Sequence, residues 1–185
     1  MATYQIREKE GTYFLTSTVI GWIDVFSRQI YRDIIIESLK FCIQEKHLHL
    51  HAHVIMSNHF HWIASTDSGF PIDGLVRDIK QFTSKKIISS IKNNDKESRK
   101  DWMLNSFEFA GKTHQDNDKY KFWQSGNHAE LLYSNDFIEQ KINYIHLNPV
   151  RAAIVEKPED YLYSSARNYL GIPGLIDVEP LIVFK

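Results

Sequence analysis

The amino-acid sequence predicts an α+β fold, a ferredoxin-like sandwich in which helices pack on one antiparallel sheet. Two observations support this fold class. An alternating run over residues 47–66 is interrupted once, at Ser57 and Asn58, which predicts two strands joined by a tight turn. Segments with helical spacing lie before and after this hairpin. A hairpin placed between two helices is typical of sandwiches with one antiparallel sheet.

Composition and charge limit the class of protein. The chain has 185 residues, 43% apolar and 24% charged, so a packed core is feasible and global disorder is excluded. We expect a single domain over residues 1–185. The net charge of −1 excludes a uniformly basic nucleic-acid-binding protein, but it allows a local basic patch. The single cysteine, Cys42, excludes an intramolecular disulfide and a cysteine-based zinc site.

The sequence contains no early apolar run that resembles a secretory signal, and none long enough for a transmembrane helix. We therefore expect a cytoplasmic protein that has no membrane partner.

The elements before the hairpin are one strand and one helix. Residues 12–20 are rich in β-branched and aromatic side chains, which predicts a strand. Residues 28–46 predict a helix, because four residues recur at helical spacing on one face: Tyr31, Ile35, Leu39 and Cys42.

After the hairpin, residues 72–92 predict a second helix. Its apolar stripe of Leu75, Ile79 and Phe82 loses phase near Ser84. The helix is therefore expected either to bend or to be buried on two faces.

The second half of the chain begins with a polar, charge-rich insert over residues 93–118, with a short helix predicted at 101–109. Two further strand segments, 119–124 and 129–133, flank a Ser-Gly-Asn turn. Ser134 is expected to cap a helix over residues 135–148, which ends at Pro149. A C-terminal tail is expected from residue 171 onwards.

Two histidines, His59 and His61, flank Phe60 on the second strand of the hairpin. Residues two apart on a strand point to the same face, about 6.5 to 7 Å apart along it. Two imidazoles so placed can bind one metal ion, while Phe60 points into the core. On spacing alone, however, a His-x-His pair is more often two half-exposed histidines without a ligand.

A second group of histidines, His47, His49, His51 and His53, alternates along the preceding strand and is expected to share one face. Imidazoles in such a ladder can bind zinc or nickel. The favoured interpretation is the wetter face of a half-buried strand.

The predicted helix 135–148 carries Tyr144 at an unusual position. If Ile138, Ile142 and Ile145 form its core stripe, Tyr144 lies well to one side of that stripe. Asn148, four residues further on, projects beside it. On spacing alone, the favoured interpretation is that Tyr144 is an aromatic residue at an interface, without a catalytic role.

Basic residues cluster between Arg77 and Lys100, where eight basic side chains stand against three acidic ones. Such a segment is compatible with nucleic-acid contact on one face, and equally with an ordinary solvated helix face. The candidate DNA-binding residues are Arg77, Lys80, Lys85 and Lys86.

Two motifs together resemble the REP-associated tyrosine transposases, within the wider HUH single-tyrosine transposases. The first is VIMSNHFHWIAS, which begins at Val54. The second is INYIHLNPVRAAIVEKPEDYLYSSARNY, which begins at Ile142. FWQ, beginning at Phe122, lies between them. The resemblance covers residues 12–169.

The resemblance implies a metal-dependent enzyme that cleaves single-stranded DNA through a covalent 5′-phosphotyrosine, with hairpin DNA as a partner. Carried across by residue, it makes Tyr144 the nucleophile. His59, His61 and Asn148 become the ligands of a divalent ion, magnesium or manganese. Magnesium follows from the resemblance alone, because two imidazoles by themselves favour manganese or zinc.

The sequence departs from the family pattern in two ways. Ser57 stands where the family more often has proline, and the 93–118 insert is longer than expected. Two rival functions are a domesticated DNA-binding protein without cleavage and a zinc hydrolase that uses the histidine ladder. Some relatives exchange helices between subunits, whereas the REP-associated branch is expected to act within one chain, so a monomer is expected.

Overall fold

The computed structural model of the protein describes residues 6, 11–113, 119–126 and 128–182. The end of the predicted insert, 114–118, and the asparagine of the predicted Ser-Gly-Asn turn lie outside these ranges. The elements are β1 (Tyr13–Thr18), α1 (Gln29–Glu45), β2 (Leu48–Ile55), β3 (His59–Thr66), α2 (Ile72–Lys92), α3 (Lys100–Thr113), β4 (Ala129–Leu131), α4 (Asn135–Arg151) and α5 (Ala166–Tyr169). Short 3-10 turns lie at Ile20–Trp22, Val25–Ser27 and Pro158–Asp160.

The four strands form one sheet in the order β2-β3-β1-β4, and each neighbouring pair is antiparallel. This order, with α1 between β1 and β2 and α2 after β3, is that of a ferredoxin-like sandwich. The predicted fold class is therefore confirmed. Within the described ranges, no helix is both long and apolar enough to cross a membrane.

The sheet has two different faces. Phe60 and Trp62 point to one side, which we call the core face; Phe60 packs there against Trp123, whose indole Nε1 donates to the Lys80 carbonyl of α2. His59 and His61 alternate with them and point to the other side, the site face. Helix α4 covers the site face, where Tyr144 contacts His61. The two helical layers therefore lie on opposite sides of the sheet.

Helix α2 spans the predicted residues, but its core stripe differs from the predicted one. Phe82 is 56% exposed, and the neighbouring Thr83 is fully buried instead. The Thr83 hydroxyl donates to the carbonyl of Ile79 at 2.6 Å, so its burial leaves no unsatisfied donor. With Thr83 in the stripe, the buried positions continue at helical spacing to Ile91. The expected loss of phase came from assigning Phe82 to the core.

The elements of the second half also differ from their predicted bounds. Residues 119–124 contribute one isolated bridge, between Trp123 and Val19, rather than a strand. Helix α3 is longer than predicted. Helix α4 passes through Pro149 and ends at Arg151, with the Ala152 amide donating to the carbonyl of Asn148 across the proline. The Ser134 hydroxyl caps α4, as predicted, by accepting from the Phe137 amide at 3.3 Å.

Candidate functional site

The site is built where β1, β3 and α4 meet on the site face. Register pairs Thr16 with His61 and Thr18 with His59 across β1 and β3. The His59 and His61 rings lie 4.7 Å apart between centroids. The Tyr144 ring lies 5.1 Å from that of His61, and its hydroxyl oxygen is 3.5 Å from His61 Nε2. Two strands and one helix thus bring His59, His61 and Tyr144 together.

Phe14 of β1 packs against both His61 and Tyr144. Its ring stacks on His61 at 5.3 Å and meets Tyr144 edge-on at 5.9 Å. Lys141 lies three residues before Tyr144 on α4. Its ammonium lies over the Phe14 ring and also pairs with Glu130 at 2.8 Å. The histidine and tyrosine rings are therefore held by packing, not by flexible surface contacts.

A hydrogen bond fixes the tautomer of His59. Asn58 Nδ2 donates to the Trp22 carbonyl at 3.1 Å, which leaves its Oδ1 facing His59 Nδ1 at 2.6 Å. Because an amide oxygen can only accept, the proton of the neutral His59 ring is on Nδ1. His61 Nδ1 is 2.8 Å from the hydroxyl of Thr16, a group that can either donate or accept. With its proton on Nδ1, His59 carries a lone pair on Nε2, whereas His61 Nε2 lies 3.5 Å from the Tyr144 hydroxyl.

Burial keeps both imidazoles neutral. Desolvation lowers the pKa of His59, and it lowers the pKa of His61 to about 3, with the charges of His59 and Lys141 acting in the same direction. Metal ions bind the neutral imidazole, so proton competition is weak here at neutral pH. The donor set therefore fits a divalent ion.

Asn148 lies on α4, one turn beyond Tyr144, and its side chain is partly exposed. Helical spacing places it on the same flank of α4 as Tyr144. An amide oxygen is a hard ligand of the kind that magnesium and manganese prefer.

Arg151 is a site residue that the sequence prediction missed. A cleft of about 380 Å³ beside Tyr144 is lined by Gln140, Lys141, Asn143, Tyr144 and Arg151. The Arg151 guanidinium lies 5.8 Å from the centre of the Tyr144 ring. The signal was present, because 144 and 151 share one helix face at a spacing of seven. It was hidden by the expectation that the helix ends at Pro149.

The histidine ladder does not form one face. A bulge between Leu50 and Ala52 shifts the register, so His53 pairs with Trp62 and Val54 with His61. His53 therefore belongs to the core face, and the prediction of a shared face is wrong. Within the described ranges, no three His, Cys, Asp or Glu side chains are placed to hold a metal ion.

The upstream histidines of the ladder have protein partners. His47 and His49 bond Asp67, and His49 also bonds the carboxylate of Glu179 in the C-terminal tail. His51 bonds the Ser65 hydroxyl and the Glu179 carbonyl. These contacts attach the tail to β2.

The candidate DNA-binding residues of α2 lie on the helical layer opposite α4. Arg77, Lys85 and Lys86 are exposed there. Lys80 differs, because its ammonium donates to the carbonyls of Gln124 and Gly126 at 3.0 and 2.8 Å. Burial lowers the pKa of Lys80 to about 8. The structure thus does not bring α2 and the His59–Tyr144 site together.

Similarity to known proteins is found at the level of the fold. No protein-family model and no curated protein sequence matches the chain. The structure is similar to that of a REP-associated tyrosine transposase bound to a REP hairpin, with a TM-score of 0.53 and 18% sequence identity. That superposition covers 100% of this chain and 98% of the other.

A second similar structure is a protein described as a transposase from Deinococcus radiodurans R1, with a TM-score of 0.44 and 15% identity. It covers 79% of this chain and 98% of the other. The class defined by the sheet order and its helices is a ferredoxin-like α+β domain. Within that class, the chain has the fold of the REP-associated tyrosine transposase.

Proposed function

We propose that this protein is a metal-dependent single-stranded DNA transesterase of transposase type, with Tyr144 as its nucleophile. The observation that carries the proposal is the meeting of Tyr144 with the His59–His61 pair, at 3.5 Å between the phenol oxygen and His61 Nε2. The shared fold with a transposase solved on a REP hairpin supports hairpin DNA as the partner.

The reaction exchanges one phosphoester for another. The Tyr144 oxygen bonds to the scissile phosphorus as the bond to the 3′ oxygen breaks; the phenol releases its proton, and the 3′ oxygen takes one up from water. The product is a 5′-phosphotyrosine and a free 3′ hydroxyl. A later 3′ hydroxyl can attack the same phosphorus and release Tyr144, so rejoining needs no external energy.

In this proposal His59 and His61 hold the divalent ion through Nε2, and Asn148 completes the ligands from α4. The Nε2 lone pair of His59 and the lowered pKa of both imidazoles support this assignment. Such an ion, when bound, polarises the scissile phosphate and stabilises charge on the leaving oxygen. Two nitrogen ligands favour manganese over magnesium.

Two basic side chains of the 380 Å³ cleft assist within this proposal. Arg151 offers a planar guanidinium for the phosphate beside the phenol, a geometry that lysine lacks. The ammonium of Lys141 forms an ion pair with Glu130, so it is less available to a phosphate. Arg151 is therefore the principal phosphate-binding residue of the cleft.

Helix α2 is proposed to contact DNA away from the cleavage site, through Arg77, Lys85 and Lys86. Their position on the opposite helical layer supports a contact with a flanking part of the DNA, not with the scissile phosphate. Lys80 is better explained as a structural residue, because its ammonium bonds two backbone carbonyls.

The proposal is tested with a labelled DNA hairpin that has single-stranded flanks, incubated with Mn²⁺ or with a chelator. We expect cleavage and a covalent adduct in Mn²⁺ and neither in the chelator. The variant His59→Ala with His61→Ala should lose Mn²⁺ affinity, measured by titration calorimetry, while hairpin affinity stays within about threefold, because phosphate contacts dominate binding.

The matched control is His47→Ala with His49→Ala, at the start of β2, which should cleave normally. Hairpin binding without cleavage under all metals would point instead to a DNA-binding protein that has lost catalysis. Equal loss of Mn²⁺ affinity in the control would contradict the placement of the metal site.

A further inference from the structure

Trp22 adopts a backbone conformation that its side chain disfavours. The turn that follows β1 contains two consecutive residues with positive φ, Gly21 at 63° and Trp22 at 57°. Glycine takes this conformation freely, but a bulky residue does so rarely because its Cβ crowds the backbone. Strain of this kind persists where the surrounding structure imposes it, often at ligand-binding sites.

The indole of Trp22 is also outside the hydrophobic core. It is 61% exposed, whereas the tryptophans of the core, Trp62 and Trp123, are almost fully buried. Packing therefore does not account for a large aromatic ring at this position. A small polar residue or a second glycine would suit the turn better.

The turn is tied to the metal-ligand candidate His59. The Trp22 ring lies 6.2 Å from the His59 ring between centroids, at an interplanar angle of 74°. The Trp22 carbonyl accepts from Asn58 Nδ2, and Asn58 Oδ1 accepts from His59 Nδ1. The same network thus orients His59 and holds the turn that presents the indole.

We infer that Trp22 is a stacking platform for one unpaired base of single-stranded DNA, next to the phosphate held at the His59–His61–Tyr144 site. Aromatic side chains bind single strands in this way because every base has a π face. Trp22 stands beside His59, while Tyr144 stands beside His61. The stacked base therefore belongs to a nucleotide that flanks the scissile phosphate on the His59 side.

This inference rests on the proposed function for the class of ligand, since the indole is useful there only if a nucleic-acid strand enters the site. It assigns Trp22 a positioning role. A stacked base fixes the strand relative to Tyr144 without reading a particular sequence, because stacking tolerates all four bases.

The test measures binding of a labelled oligothymidylate of about 15 nucleotides by fluorescence anisotropy, in chelator so that no cleavage occurs. Trp22→Asn removes the ring, and asparagine tolerates positive φ, so the turn is preserved. We expect its Kd to rise roughly 5- to 150-fold. Trp22→Phe, which keeps an aromatic face, should recover most of the affinity.

The matched control is Trp102→Ala, which removes a comparably exposed indole, 54%, from α3, a helix that packs against α2. Its affinity should be unchanged. Oligonucleotides with one abasic position then locate the contact: one position should weaken binding to the wild type but not to Trp22→Asn.

Equal affinity of Trp22→Asn and wild type, or an abasic scan with no such position, would overturn the stacking inference and leave the cleavage proposal intact. Failure of the wild-type chain to bind the oligonucleotide would likewise overturn the stacking inference alone. The proposed function is contradicted separately, by failure to cleave the labelled hairpin in Mn²⁺.

Discussion

At the scale of single residues, the surroundings of the hydroxyl separate Tyr144 from Tyr161 and Tyr163, two other tyrosines of the second sequence motif. Tyr161 donates to the Ile55 carbonyl at 2.7 Å and Tyr163 to the Asp33 carboxylate at 2.6 Å. Burial raises the pKa of both phenols, that of Tyr163 to about 12. Neither is suited to attack phosphorus, because each phenol is desolvated and its hydroxyl is already engaged.

Arg151 gives the residue-scale prediction. Arg151→Ala should slow single-turnover cleavage of the hairpin by about 10-fold or more, because the variant lacks one preorganised cation beside the reacting phosphate. Folding should be unaffected, since the side chain is exposed at the end of α4. Arg151→Lys should recover only part of the rate, because an ammonium lacks the guanidinium fork.

The control for Arg151 is Arg77→Ala on α2, which removes the same charge on the other helical layer. With protein at a concentration that saturates the hairpin, its single-turnover cleavage rate should be unchanged, because Arg77 is proposed to contact flanking DNA and not the scissile phosphate. An unchanged rate in Arg151→Ala would make Arg151 an ordinary surface arginine.

At the scale of elements, the bulge in β2 places His53 in the core, where its pKa is far below the ordinary value. Its ring nitrogens have no hydrogen-bond partner within the described ranges. Burial lowers the pKa of His53 to about 3 from an ordinary value of 6.5, and the charge of His146 acts in the same direction. Below pH 6.5 the unfolded chain binds a proton that the folded protein excludes, so acid reduces stability down to about pH 3.

His53→Met removes this titration without a large change in volume. We expect the free energy of unfolding at about pH 7.5 to be unchanged or higher, because the variant no longer buries a polar group without a partner. The fall in stability between about pH 7.5 and about pH 4.5 should become shallower, as measured by urea unfolding. His47→Met, at a half-exposed position, is the control. An equally steep fall in His53→Met would contradict the burial of a neutral ring.

Helix α2 gives a second element-scale prediction, because its lysines divide into two kinds. Neutralising Lys85 and Lys86 should flatten the salt dependence of hairpin binding, by a slope of roughly 0.7 for each single-strand phosphate that these lysines neutralise in the wild type. Stability should change little. Lys80→Met should instead lower the free energy of unfolding, because two backbone carbonyls no longer have their donor.

The measurements are salt-dependent anisotropy for binding and urea unfolding for stability. An unchanged salt slope in the double variant would make Lys85 and Lys86 part of an ordinary solvated face. A stable Lys80→Met variant that shows the same flattened slope would restore Lys80 as a DNA-binding residue.

At the scale of the whole molecule, the fold was predictable because its hairpin is marked locally. Alternation on both sides of Ser57 and Asn58, followed by helical spacing, leaves few alternatives to an antiparallel sheet with helices packed on it. Tyr144 was also predictable as a residue off the core stripe, because its neighbours at isoleucine positions define that stripe.

What the sequence did not reveal depends on hydrogen bonds and burial that exist only in the folded chain. The bulge at Leu50–Ala52 has no local signal, since it is stabilised by the tail at Glu179 and by Ser65 on β3. Pro149, where the sequence predicts the end of α4, is instead buried inside the helix. Thr83 can be buried because its hydroxyl donates a hydrogen bond to the Ile79 carbonyl. The residue type alone does not show that this hydrogen bond forms.

The architecture also bears on the expected monomer. Tyr144 and His61 of the same chain are already in contact, so the proposed site needs no helix from a partner. The expected monomer stays a prediction.

The central claim is that Tyr144 becomes covalently joined to the 5′ phosphate of cleaved DNA. The most direct measurement is mass spectrometry of the adduct trapped on hairpin DNA in Mn²⁺, with Tyr144→Phe as the matched variant. That substitution removes one oxygen and little volume, so stability should change by about 1 kcal/mol or less and hairpin binding should persist. We predict a nucleotide on the peptide that contains Tyr144, and neither adduct nor cleavage in Tyr144→Phe. A nucleotide mapped to Tyr133, Tyr161 or Tyr163, or cleavage by Tyr144→Phe, would contradict the claim.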